Sequence, residues 1–105
     1  MVDEQTLKEA VRRITAVAQP NRIILFGSQA HQQTNAADLD LLVIQPEIVD
    51  RYAEMLRLHE ALGNLGLGID LLIYSEAEFE RRSRVPGTVP YWARKEGKSL
   101  YAAAS

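Results

Sequence analysis

The interval between two apolar runs does most to restrict how this chain can fold. Asp38–Ile44 and Ile69–Tyr74 each read as a strand, and between them apolar residues recur at helical spacing over about 16 residues. A helix of that length carries the chain back to the end of the sheet where it started. The two strands are therefore expected to be parallel neighbours or near neighbours, not the arms of a hairpin.

The remaining elements fall around this unit. Leu7, Ala10, Val11, Ile14, Val17 and Ala18 mark an amphipathic helix over Thr6–Ala18, with Asp3 or Thr6 as its N-cap and Pro20 as its stop. Arg22–Phe26, short and rich in β-branched and aromatic residues, predicts a strand buried on both faces and closed by Gly27. In the crossover helix, Pro46 fits a first turn, Ile48, Tyr52, Met55, Leu56, His59 and Leu62 line one face, and Gly63 ends it. Ser75 is placed to cap a charged helix over Glu76–Arg84, and Thr88–Glu96 predicts one more short helix ended by Gly97. The expected fold is α/β (α+β), one domain over residues 1–105, a small mixed β-sheet with flanking helices in the order α-β-α-β-α-β-α.

Composition removes several classes of function. There is no cysteine, and the two histidines, His31 and His59, lack zinc-like partners, so any metal must be held by oxygen. Net charge is −2 and the pI about 5.6, too acidic for broad binding to nucleic-acid backbone. The amino terminus has no basic-then-apolar pattern and no apolar run approaches membrane-spanning length, so a cytoplasmic location is expected.

The chemistry lies at the strand ends. Side chains alternate along a strand, which places Asp38 and Asp40 on one face, ~6.5 to 7 Å apart along the backbone, with apolar Leu42 and Ile44 behind them. Asp70 begins the next strand in the same way, ahead of Leu72 and Tyr74. If those strands are parallel, all three carboxylates meet at one rim, and such an oxygen cluster suits Mg²⁺ carrying a phosphate substrate. Gly27 and Ser28 end the first strand; for them to reach that rim, this strand must run opposite to the other two. A glycine there allows close backbone approach, and Ser28 with the following amides can donate to phosphate oxygens, especially if a helix begins at Gln29. Taken alone, an Asp-x-Asp is an ordinary turn or cap feature. Its conjunction with the Gly-Ser turn and the third Asp points to phosphoryl or nucleotidyl transfer.

Ile-Leu-Phe-Gly-Ser-x-Ala, followed by Asp-Leu-Asp-Leu-Leu-Val and Ile-Asp-Leu-Leu, resembles the nucleotidyltransferase superfamily of DNA polymerase β, and most closely its minimal nucleotidyltransferases (MNT). The resemblance implies that Gly27 and Ser28 hold the terminal phosphates of ATP. It also implies that Asp38, Asp40 and Asp70 bind two Mg²⁺ ions and carry catalysis. It further implies the antitoxin of a toxin–antitoxin pair, adding AMP to a tyrosine of a HEPN-type toxin partner. The chain departs from the family pattern in the nine residues between Ser28 and Asp38, one fewer than usual, and in Ala37 and His31. Rival expectations are an inactive antitoxin that acts by binding alone, and nucleotidyl transfer to a small molecule or RNA. His59 reads as a packed core-side residue, Arg81, Arg82 and Arg84 as a solvated helix face, and Tyr91 and Trp92 as packing the last helix on the sheet.

Overall fold

The computed structural model describes residues 4–26, 38–66 and 68–103. Its elements are α1 (Glu4–Val17), β1 (Arg22–Phe26), β2 (Asp38–Gln45), α2 (Arg51–Leu62), β3 (Gly68–Ser75), α3 (Glu76–Arg82), α4 (Val89–Glu96) and β4 (Lys98–Ala102). The expected helix near Gln29 lies outside the described residues.

The sheet is mixed, as expected, with strand order β3-β2-β1-β4. β2 and β3 run parallel in a continuous register from Asp38 opposite Gly68 to Gln45 opposite Ser75. β1 runs antiparallel to β2. β4 was not expected from the sequence; it pairs antiparallel with the other edge of β1.

Alternation along the strands divides the interior into two unequal cores. Ile23, Leu25, Leu39, Leu41, Val43, Leu71 and Ile73 face Leu7, Ala10 and Ile14 of α1 and Leu58 and Leu62 of α2. Ile24, Leu42 and Ile44 face the other way, where Phe79 of α3 and Ala93 of α4 cover them, with Phe26 and Tyr74 partly buried alongside. The α1/α2 side is thick and the α3/α4 side thin.

Helix boundaries follow from local capping. The crossover helix starts at Arg51 and not at Pro46, because Asp50 in extended conformation accepts the Ala53 amide and so acts as N-cap. The register changes with it: Met55, Leu58 and Leu62 face the core, whereas Tyr52 and Leu56, expected on the buried face, are 71% and 51% exposed. Gly63 ends α2 at φ 60°, a left-handed value that favours glycine. Ser75 accepts the Glu78 amide while the Glu78 carboxylate accepts the Ser75 amide, a reciprocal capping box that starts α3 where the sequence predicts. α3 ends at Arg82, two residues early, because Ser83 serves as its C-cap. Arg51 ties these parts together, donating to the Ile73 carbonyl at 3.1 Å and pairing with Glu78. Among the described residues no helix is long and apolar enough to cross a membrane.

Candidate active site

The parallel register of β2 and β3 sets Asp40 directly beside Asp70. Registered residues on adjacent strands point to the same face and stand ~4.8 Å apart along the hydrogen-bonding direction. Both belong to the alternation set of Leu42, Ile44 and Tyr74, so both project toward the α3/α4 side. Asp40 is half-buried there and Asp70 exposed. Asp38 opens β2 opposite Gly68, two residues before Asp40; its side chain is outside the described residues, as are Gly27 and Ser28.

Asp40 and Asp70 thus stand in register at one rim. Among the described residues no group of three His, Cys, Asp or Glu side chains closes to metal-binding distance; the third carboxylate expected from the sequence is that of Asp38. The two carboxylates alone are a fit for a hard cation that keeps water and substrate oxygens in its shell, since Mg²⁺ is commonly held by one or two carboxylates plus phosphates.

The antiparallel pairing extends the rim beyond the carboxylates. Phe26 is the register partner of Asp40, on the same face, and Leu25 is the partner of Lys98 at the start of β4. The rim row therefore runs Asp70, Asp40, Phe26 and then the α4–β4 junction; Lys98 there, paired with Leu25, faces the α1 side of the sheet and not the carboxylate side. Sequence reasoning missed Phe26, although it stands immediately before Gly27.

Of three other expectations, those for His59 and the arginine group agree with the structure and that for Trp92 does not. His59 is half-buried on the flank of α2, well removed along the chain and on the opposite side of the sheet from the carboxylates. In the arginine group, Arg84 pairs with Glu80 at 3.5 Å, and Arg82 lies over the Tyr74 ring at 5.9 Å; Arg81 is exposed. Trp92 does not pack α4 on the sheet: Pro90 and Ala93 do, and Trp92 is 48% exposed.

No protein-family model and no curated protein matches the sequence. Two solved structures resemble the fold. A candidate nucleotidyltransferase from Sulfolobus solfataricus aligns over 89% of this chain and 82% of its own, with TM-score 0.58 and 20% identity. A chain of the toxin–antitoxin assembly MntA–HpeT, in a variant with two aspartates replaced by glutamate, aligns over 97% of this chain and 75% of its own, with TM-score 0.57 and 22% identity. The chain thus shares the fold of these structures, a four-stranded mixed sheet flanked by helices.

Proposed function

We propose that this chain is a Mg²⁺-dependent nucleotidyltransferase that moves AMP from ATP to a hydroxyl of a partner toxin, and so acts as its antitoxin. The observation that carries this reading is the side-by-side placement of Asp40 and Asp70 at one sheet rim, with Asp38 two residues before Asp40. The fold it shares with a candidate nucleotidyltransferase supports it. So does the toxin–antitoxin relative, whose two altered aspartates stand two residues apart, the spacing of Asp38 and Asp40.

In this scheme Asp38, Asp40 and Asp70 hold two Mg²⁺ ions, and Gly27 and Ser28 bind the terminal phosphates. When bound, the metal supplies neutralisation of the triphosphate and a lowered pKa for the acceptor hydroxyl. The acceptor oxygen bonds to the α-phosphorus while the bond to the β-phosphate bridging oxygen breaks and pyrophosphate leaves. Asp70, exposed on the edge strand β3, is the carboxylate an incoming acceptor can reach, and it can take the hydroxyl proton. The acceptor in this reading is a partner's hydroxyl, for which a tyrosine of a HEPN-type helical toxin is the expected source.

Intact-mass analysis of that toxin, with this chain, ATP and Mg²⁺, tests the proposal. Wild type is expected to add the mass of one AMP, and Asp40→Asn to lower the rate by at least on the order of a hundredfold, as befits a direct metal ligand. No adduct with wild type, together with equal neutralisation of the toxin by wild type and Asp38→Ala, would leave an antitoxin that acts by occlusion alone.

A further inference from the structure

Charge is unevenly placed along this chain. Residues 81–98 hold six of its twelve Lys and Arg residues and one of its fourteen Asp and Glu residues, although the whole is net negative. Arg81, Arg84, Arg94 and Lys95 lie exposed on α3, α4 and the turn that joins them. Arg84 and Arg94 converge on a single carboxylate, that of Glu80, at 3.5 Å and 3.9 Å, and Arg94 also donates to the Ser83 hydroxyl at 3.0 Å. Both distances to Glu80 exceed those of charge-assisted hydrogen bonds, and one carboxylate leaves two guanidinium groups with excess positive charge.

Apolar side chains stand among these cations. Val85, Val89 and Trp92 are 50%, 39% and 48% exposed, and neither core of the fold uses them. Val89 and Trp92, three residues apart on α4, share one face of it, and the burial of Pro90 and Ala93 turns that face away from the sheet. Thr88 holds Val85 against the start of the helix: its hydroxyl donates to the Val85 carbonyl at 2.9 Å and accepts the Tyr91 amide at 3.2 Å. The Lys95 ammonium lies over the Trp92 ring, 5.9 Å from its centroid, so the cations and the apolar ridge meet in one surface.

We propose that this outer surface of α3 and α4 docks an acidic amphipathic helix of a partner protein. Its apolar residues would seat on Val85, Val89 and Trp92, and its carboxylates on Arg84, Arg94 and Lys95. Trp and Arg are the side chains that most often anchor protein interfaces, and opposite charges at the border fix orientation. Nucleic acid would also seek the cations, but phosphate contacts leave Val85 and Val89 uncovered. A second copy could offer α2, where Val49, Tyr52 and Leu56 are exposed along with Glu47 and Glu60. α2 and α4 pack on opposite faces of the sheet, however, so that contact would repeat head to tail and not close a dimer. Docking of this kind does not depend on nucleotidyl transfer.

Trp92 is the only tryptophan of the chain, so its emission reports the surface directly. Three probes separate the possibilities: a synthetic amphipathic helix of Glu and Leu, the same helix with Lys for Glu, and a single-stranded RNA of matching negative charge. The Glu–Leu helix is expected to move the emission saturably to shorter wavelength, more weakly as salt is raised, and the Lys–Leu helix to leave it unchanged. With the Glu–Leu helix labelled and followed by anisotropy, the double variant Arg84→Glu, Arg94→Glu and the single variant Trp92→Ala should each weaken binding roughly tenfold. The neutral pair Arg84→Gln, Arg94→Gln should weaken it less. Asp40→Asn should bind as wild type does, which keeps this result apart from the test of AMP transfer. No binding of the Glu–Leu helix by wild type, an equal emission shift with the Lys–Leu helix, or unchanged affinity in these arginine and Trp92 variants would each overturn the proposal. RNA bound more tightly than the Glu–Leu helix would overturn it in favour of a nucleic-acid surface. Growing assemblies of the chain alone in sedimentation, lost in Trp92→Ala, would overturn it in favour of a second copy.

Discussion

Gly97 occupies a conformation open to any residue, φ −73° and ψ 161°, so its requirement is space and not backbone freedom. Two of the three nearest atoms to an added Cβ are backbone oxygens, of Ala93 and Leu25, and neither can swing aside as a side-chain tip would. Gly97→Ala is therefore expected to destabilise the chain by about 1–3 kcal/mol in urea unfolding, the range for overpacking a tight site; a change within about 0.5 kcal/mol, normal for a surface substitution, would contradict this. Residues differ in how visible such constraints are in sequence. Asp40 and Asp70 could be assigned to one face because strand alternation is local, and the helical interval between them implied a parallel pair. Phe26 and Lys98 could not be placed, because their neighbours are set by register across antiparallel pairs, including one with a strand that was not expected.

At the scale of elements, charged side chains join α2, β3 and α3 at the end of the sheet opposite the carboxylates. The Glu78 carboxyl is held below its ordinary value, first by the Ser75 amide hydrogen bond and further by Arg51; that of Glu54 is lowered chiefly by its hydrogen bond to Arg57. Glu9 falls from 4.5 to about 2 through Arg12 and Arg13, but the pair lies at the surface, with Arg12 69% exposed, and water screens what that pairing adds to stability. A carboxyl with a depressed folded-state pKa stabilises above its unfolded value and loses that contribution as pH falls through the folded one. Urea midpoints are thus expected to decline as pH drops below the ordinary glutamate value of 4.5, and Glu78→Gln to flatten the decline. A decline of the same steepness in Glu78→Gln would show that this junction is not its source. The capping box was legible because Ser75 and Glu78 sit at the required spacing, whereas Pro46 and Asp50 offered competing starts for α2 and the Asp50 cap prevails. β4 escaped notice because five residues with a polar beginning form a strand only where β1 offers an unpaired edge.

At the scale of the whole molecule, the sheet separates structural work from chemistry. α1 and α2 build the larger core on one face, and among the described residues the shorter α3 and α4 cover the other only in part, with Asp70 exposed on the carboxylate side. The parallel crossover and the mixed sheet could be read from the sequence, since an intervening helix and the required direction of the first strand leave few topologies. Which helices would cover the carboxylate face could not, because α3 and α4 are short and the exposure of Trp92 depends on how Pro90 and Ala93 seat the helix. The central claim is that this rim transfers a nucleotidyl group and not a terminal phosphate. Its most direct test uses ATP labelled at either the α- or the γ-phosphorus, with Mg²⁺, this chain and its toxin partner. Label from the α position is expected on the toxin with wild type and absent with Asp70→Asn, while γ label departs in pyrophosphate; γ label on the toxin, or α label that persists in Asp70→Asn, would contradict the account.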